Sequence, residues 1–242
     1  MNPPMEEREA RIELAAAFRI AVLFDFHEGI SNHFSMLIPG REDRFLINPF
    51  GLHFSEVTAT SLAVVDIDGS PVSGIAPATG IGIHAPIHRL CPQAAVVLHT
   101  HQPWTAALAM KDDLHLAPIS QTSLQFTDRV VYDERYEGLA DLDEGERLAK
   151  ALGDAEVMFL RHHGILVAGR ELGAAMDDLY MLEKAAQLQV LSAGFGPLKP
   201  IRGETIERTR SQFVGDGMIE WGRMHWAAMM RMVERTQPDF RD

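Results

Sequence analysis

The stretch that decides the fold reads Ala94-Ala95-Val96-Val97-Leu98-His99-Thr100-His101, an apolar run that ends in two histidines. A second apolar run, residues 157–160, is followed by Arg161-His162-His163-Gly164. Short valine-rich runs are typical of buried strands, in which side chains two residues apart share a face. His99 and His101 can therefore converge, and a histidine from a neighbouring strand end would complete three nitrogen ligands with a coordination position left open. The same spacing also fits a hydrogen-bonded histidine pair, so spacing alone leaves both interpretations open.

The composition favours one globular domain with a small-molecule ligand. The chain has 242 residues, of which 46% are hydrophobic and 23% charged, and its formal net charge is -12. That charge argues against nucleic acid and anionic membranes as partners, because both attract clustered Lys and Arg. Cys91 is the single cysteine, which excludes an intrachain disulfide and a thiolate-rich zinc site. No apolar stretch reaches the roughly 18 residues of a membrane span, and the first residues are acidic, so we expect a cytoplasmic protein.

Hydrophobic periodicity and turn residues predict alternating sheet and helix. The predicted helices cover residues 6–26, 83–90, 141–152 and 171–193, and strands are predicted at 34–38, 45–47 and 62–67 besides the two apolar runs. One or two further helices are predicted over 204–234, interrupted by Gly215-Asp216-Gly217.

Five segments in this order resemble motifs of the class II aldolase/adducin family. They are Gly29-Ile30-Ser31-Asn32-His33-Phe34-Ser35, Ile47-Asn48-Pro49-Phe50-Gly51, Pro77-Ala78-Thr79-Gly80, and the two histidine-bearing segments 95–101 and 161–164. The resemblance spans about residues 8–195. It implies a single α/β domain over residues 1–242, with a central, mostly antiparallel sheet covered by helices and a C-terminal helical extension at 204–236.

The resemblance also implies a metal and an assembly. The family's three ligand histidines match His99, His101 and His163, and of the His162-His163 pair the residue before Gly164 fits the motif. Zinc is the first metal expected, with manganese, cobalt or iron(II) as the alternatives, because imidazole accepts all of them. The family's active sites lie at the subunit interfaces of a four-fold symmetric tetramer, so a homotetramer is expected here.

The departures from the family pattern point away from sugar phosphates. Family aldolases carry an acid/base glutamate nineteen residues before the first ligand histidine, where this chain has Gly80. Their phosphate-binding threonine-glycine turn becomes Phe50-Gly51, and a serine pair becomes Ala78-Thr79. Because phenylalanine donates no hydrogen bond, we expect an unphosphorylated substrate with an apolar or aromatic part. The substrate-binding residues expected on this basis are Asn32, Phe50, Gly51, Thr79, Gly80 and, in loose correspondence to a family tyrosine, Gln121.

A proton source must replace the missing glutamate. His84 is the first choice, since it lies four residues after Gly80 on a predicted helix, and His33 and His53 are alternatives. Arg161 could pair with a substrate carboxylate or bridge to an acidic loop. For each of these histidines a purely structural role is the competing interpretation.

Three functions from different classes fit these patterns. The first is a metal-dependent carbon–carbon lyase, a decarboxylase or aldolase of a small hydroxy or keto acid, in which the metal acts as a Lewis acid. The second is an iron(II)-dependent oxygenase on the same fold. The third is a noncatalytic, adducin-like interaction module. Because adducins resemble the family but lack the metal histidines, retention of all three histidines argues against the third.

Overall fold

A computed structural model describes residues 5–213 and 216–242 of the chain. Across these residues the polypeptide forms one eight-stranded sheet in the order β4-β3-β2-β1-β5-β8-β7-β6. Neighbouring strands are antiparallel except β6 and β7, which run parallel. The strands are β1 (His33–Ile38), β2 (Arg41–Ile47), β3 (Ala63–Asp66), β4 (Pro71–Ser73), β5 (Val96–Thr100), β6 (Val130–Asp133), β7 (Val157–Leu160) and β8 (Gly164–Gly169). The predicted fold class, a single α/β domain with a mostly antiparallel sheet, is confirmed.

Helices cover both faces of this sheet. They are α1 (Met5–Leu23), α2 (Ala78–Leu90), α3 (Pro103–Ala109), α4 (Gln121–Leu124), α5 (Leu142–Leu152), α6 (Leu172–Ala193), α7 (Gly203–Gln212) and α8 (Asp216–Thr236). Alternate strand residues feed two cores: Val96 and Leu98 pack into the core with α1 and α6, whereas Val97 packs on the opposite face with α2 and α5. Burial on both faces explains why residues 96–98 of β5 are consecutively apolar rather than alternating with polar residues.

The predicted elements are largely present, with three kinds of difference. Helices α5 and α6 begin one residue after the predicted starts because Asp141 and Glu171 are their N-caps, and Asp141 accepts from the Glu144 amide. The predicted short helix at 83–90 begins earlier, at Ala78. Strands β4 and β6 and helices α3 and α4 were not predicted, because they are short and owe their stability to neighbours in the fold. Strand β8, which is six residues long and fully buried, was not predicted either.

The C-terminal segment forms two helices, α7 and α8, within the predicted range. Of the predicted interruption, Asp216 and Gly217 belong instead to the first turn of α8, and Gly215 lies outside the described residues. The chain end returns to α1, where buried Arg19 contacts Asp239 at 2.9 Å and donates to the Val57 carbonyl at 3.0 Å. Among the helices in the described ranges, none combines the length and the apolarity needed to cross a bilayer.

Strand pairing sets the position of the first two histidines. In the β1–β5 ladder His33 lies opposite His99, and in the β5–β8 ladder His99 lies opposite Leu166 and Thr100 opposite Ile165. The β7–β8 turn therefore arrives beside the end of β5. At this junction of β1, β5 and β8, the side chains of His33, His99 and His163 lie close together.

Candidate metal centre

Three histidines converge where β5 ends beside the turn that enters β8. His99 lies on β5, His101 directly follows it, and His163 immediately precedes β8. One ring nitrogen from each lies within 4.8 Å of the others, and the ring centroids are 4.7–5.0 Å apart. The structure thus brings together the three residues that the sequence pattern and the family resemblance predict.

The turn between β7 and β8 depends on two unusual backbone positions. His162 adopts a left-handed conformation with φ of 59°, which turns the chain sharply after Arg161. A Cβ at Gly164 would collide with the Thr100 carbonyl oxygen and lie 2.9 Å from Cδ2 of His101. Only glycine therefore lets β8 approach β5 closely enough for His163 to reach the other two histidines, which is the physical reason for the histidine-glycine order.

Hydrogen bonds fix the direction of two of these rings. Nδ1 of His99 donates to the Ile165 carbonyl at 2.9 Å, and Nδ1 of His101 donates to the Glu28 carboxylate at 2.5 Å. The two Nε2 atoms consequently face each other at 3.1 Å with unshared electron pairs. Two nitrogens about 2.1 Å from one ion are separated by about 3.0–3.4 Å for angles between 90° and tetrahedral. Two facing acceptors repel each other, whereas a divalent ion between them attracts both, so this donor set fits a metal.

Burial keeps two of the three histidines, His99 and His163, in the form that coordinates metal. It lowers the pKa of His99 well below the usual value and the pKa of His163 to about 4, and neighbouring histidines add to both effects. Neutral imidazole is the species that binds a metal ion. His99 and His163 are therefore in the coordinating form at neutral pH.

A cleft of about 620 Å³ opens onto the three histidines. This volume lies within the usual range for small-molecule sites. Its wall is largely apolar and includes Phe50, Ile83 and Leu139, and its polar groups include Thr79 and Tyr136. Phe50 and Leu139 are exposed at 61% and 86%, so the apolar wall extends to the rim of the cleft.

The expected substrate-binding residues on the first half of the chain lie around this cleft with different exposure. Phe50 and Thr79 line it directly. Asn32 is fully buried, and its Oδ1 accepts from the Glu28 amide at 2.6 Å, so it supports the loop that carries the His101 partner. Gly51 has φ of 88°, a turn conformation that suits glycine. Gly80 is buried against the ring of His33.

His84, the expected proton source, lies one layer behind the cleft. Its side chain is fully buried and does not line the cavity, whereas His33 does. Nε2 of His84 is 3.2 Å from Nδ1 of His33. His84 could therefore act only through His33. His53 instead caps a short 3-10 helix, where its Nδ1 accepts from the Ser55 amide.

Arg161 and Gln121 lie outside the histidine cleft. The Arg161 guanidinium donates to the Lys111 and Asp112 carbonyls at 3.1 and 3.2 Å and approaches Glu134 at 3.3 Å, so it holds the loop after α3. Gln121 begins α4 and lines two separate clefts beside residues of α7. Arg161 lines a smaller neighbouring cleft that also includes His163.

Sequence reasoning missed Glu28 and Tyr136. Glu28 reaches His101 across 73 residues, a contact that no local pattern reveals. Tyr136 lines the cleft, and its ring centroid is 6.4 Å from that of His163. A signal for Tyr136 did exist: it closely follows β6, and β6 and β7 are parallel, so their C-terminal ends lie together.

Comparisons with known proteins agree with this architecture. The sequence profile described as Class II Aldolase and Adducin N-terminal domain matches residues 12–190. A Caulobacter vibrioides protein named as an aldolase class 2 protein is 34% identical over 98% of this chain and 93% of its own length. The solved L-fuculose 1-phosphate aldolase of Glaciozyma antarctica superposes with a TM-score of 0.88 at 25% identity, covering 100% of this chain and 97% of that chain. Mus musculus alpha-adducin is 33% identical over 94% of this chain but only 33% of its own length.

Proposed function

The chain belongs to the class II aldolase and adducin family, and from that premise we propose that it is a divalent-metal-dependent carbon–carbon lyase. The proposed substrate is a small unphosphorylated hydroxy or keto acid, cleaved by decarboxylation or by an aldol reaction. The observation that carries this proposal is the pair of Nε2 atoms of His99 and His101, which face each other at 3.1 Å beside His163.

His99, His101 and His163 would hold the ion, with zinc as the first choice and manganese, cobalt or iron(II) as alternatives. A divalent ion there supplies Lewis-acid chemistry, polarising substrate oxygens and offsetting negative charge as the carbon–carbon bond breaks. The protein fixes the ring orientations through the Ile165 carbonyl and Glu28. Three protein ligands leave coordination positions open, as in catalytic rather than structural sites.

The cleft wall supports the choice of substrate class. Gly80 provides no carboxylate, and Phe50 provides no hydrogen bond where the family resemblance implies a phosphate-binding threonine. Phe50, Ile83 and Leu139 instead offer an apolar surface beside the histidines. An acid with a ring or a branched chain would bury this apolar surface, whereas the phosphate of a sugar phosphate would not.

We also propose that the protein is cytoplasmic and works as a homotetramer with active sites at subunit interfaces. Apolar side chains on the cleft rim support the assembly, since Phe50, Tyr136 and Leu139 are 53–86% exposed in the single chain. Light scattering tests the assembly: a mass close to that of one 26.9 kDa chain would contradict it.

Elemental analysis of protein purified without chelators tests the metal. We expect about one divalent ion per chain, lost in His99→Ala and His163→Ala. His162→Asn is the matched control, because asparagine tolerates the left-handed backbone and His162 is not one of the three clustered ligands. Metal-free wild type, or unchanged metal content in the two alanine variants, would refute the metal proposal.

A screen of hydroxy and keto acids for carbon dioxide or aldehyde release, run in air and under nitrogen, tests the reaction. Turnover in both atmospheres supports a lyase. Turnover that requires oxygen would instead assign the site to an iron(II) oxygenase. A metal-free protein without turnover would favour an adducin-like module.

A further inference from the structure

A file of buried polar side chains leads from the cleft into the sheet. Nδ1 of His33 is 3.2 Å from Nε2 of His84, and Nδ1 of His84 is 2.5 Å from Oγ of Ser35. Oγ of Ser35 is 2.7 Å from Nε2 of His88, whose Nδ1 is 2.7 Å from the Ala94 carbonyl oxygen. The three histidines and Ser35 are at most 6% exposed, so water does not compete for these bonds.

The last bond in the file determines the direction of the others. A carbonyl oxygen only accepts, so Nδ1 of His88 carries its hydrogen. In neutral His88 the Nε2 then has none, and it accepts from the Ser35 hydroxyl. Ser35 has a single hydrogen to donate, so its oxygen accepts from Nδ1 of His84. Nε2 of His84 is then free to accept from Nδ1 of His33.

Two observations support neutral rings in this file. Burial lowers the pKa of His88 to about 4 and the pKa of His84 well below its usual value. Within the described residues, no carboxylate forms a salt bridge with any of the three, so an added positive charge would have no counter-ion. If each neutral ring carries one hydrogen, counting from Ala94 towards the cleft leaves Nε2 of His33 without a hydrogen.

That unprotonated nitrogen lies at the cleft. His33 and Thr79 both line it, and Nε2 of His33 is 3.4 Å from Oγ1 of Thr79, at the long end of hydrogen-bond distances. The His33 ring also occupies the space beside Gly80: a Cβ added at Gly80 would lie 3.1 Å from its Cγ and Cδ2. The His33 ring therefore occupies space that a side chain at residue 80 would otherwise take.

We propose that the file Ala94–His88–Ser35–His84 locks His33 in the Nδ1–H tautomer, so that Nε2 of His33 is a fixed hydrogen-bond acceptor for a substrate hydroxyl. His84, Ser35 and His88 are positioning residues, and His33 contacts the ligand. The substrate part of this proposal rests on the proposed function, and it narrows the substrate class. Because Nε2 of His33 carries no hydrogen, it accepts a hydrogen bond from a hydroxyl group but repels a keto oxygen. This favours a hydroxy acid over a keto acid.

Nuclear magnetic resonance tests the lock without metal or turnover. In metal-free protein labelled with ¹⁵N-histidine at pH 8, long-range ¹H–¹⁵N correlations distinguish the two neutral tautomers. We expect His33, His84 and His88 in the Nδ1–H form, each assigned by its loss in a single substitution to glutamine. An Nε2–H tautomer at His33 or His84 would overturn the proposal, and because no metal is needed, this result is independent of the proposed function.

A matched pair of probes tests the acceptor. For the zinc-loaded protein we expect mandelate, which carries a hydroxyl, to bind at least tenfold more tightly than benzoylformate, which carries a keto group at the same carbon. Ser35→Ala should abolish this preference while zinc content is unchanged, and Ser123→Ala, a buried serine on α4 outside the file, should retain it. Equal binding of the two acids, absence of binding by both, or a preference that survives in Ser35→Ala would refute the hydroxyl assignment.

Discussion

The contact between Gly80 and His33 allows a sharp test of the site's packing. Gly80 is the third residue of α2, and a Cβ placed there would lie 3.1 Å from two ring atoms of His33 and 3.1 Å from Cδ1 of Ile47. Carbon atoms prefer separations of about 3.5–4.0 Å. The Ile47 contact involves the flexible end of a side chain, whereas the His33 ring is held by the hydrogen-bonded file, so the ring should dominate the cost.

The expected effect of Gly80→Ala therefore depends on residue 33. Overpacking costs about 1–3 kcal/mol, and replacing a helical glycine by alanine returns about 0.5–1 kcal/mol. In the wild-type background the net result should be a loss of about 1–2 kcal/mol in the free energy of unfolding. In a His33→Ala background the ring is gone, and the same substitution should stabilise the protein by up to about 1 kcal/mol.

Urea unfolding of the four metal-free proteins, at one protein concentration and pH 8, measures this difference. Metal-free protein avoids any contribution from metal binding to the native state. A coupling of at least about 1 kcal/mol between the two positions is expected. If Gly80→Ala changes stability equally in both backgrounds, within about 0.5 kcal/mol, then His33 does not fill the space beside Gly80 and the packing argument is wrong.

Four further outcomes follow from the same geometry. Glu28→Gln should weaken zinc binding about 10–100-fold in competition with a chelating dye, because it removes the charged acceptor of the His101 ring. Gly164→Ala should lower the free energy of unfolding by about 3 kcal/mol or more in urea, since its Cβ would meet the carbonyl of Thr100; a loss under about 1 kcal/mol would contradict this. Burial lowers the pKa of His33 to about 3 and of His88 to about 4, so below pH 6.5 the unfolded chain binds protons that the native rings do not. The free energy of unfolding of metal-free protein should thus fall by about 2 kcal/mol per histidine between pH 8 and pH 5, and less steeply in His88→Gln. Purified protein with its metal should not cleave fuculose 1-phosphate or ribulose phosphates in a coupled aldehyde assay, and efficient cleavage would refute the argument from Phe50.

Local patterns in the sequence predicted much of the fold. Hydrophobic periodicity predicted α1, α5 and α6, and the valine-rich runs predicted β5 and β7. Each of these elements buries a continuous apolar face, which appears as a regular pattern within a short stretch of sequence. The resemblance of short motifs to a known family added the sheet architecture and the choice of His163 over His162. Short elements such as β4 and α4 have no comparable face of their own, so their sequences alone did not predict them.

The candidate metal ligands were accessible from sequence because His99 and His101 lie two residues apart at the end of an apolar run, and because His163 matches a motif of the family. The side chains that surround these ligands were not predictable from the sequence. Glu28 meets His101, and Ser35 meets His84 and His88, across 49–73 residues. These contacts exist because β1 pairs with β5 and α2 packs across both, and such long-range pairing depends on the whole core rather than on any local pattern. The sequence therefore identified the candidate metal ligands, and only the tertiary structure decided which side chains orient them and which nitrogen faces the cleft.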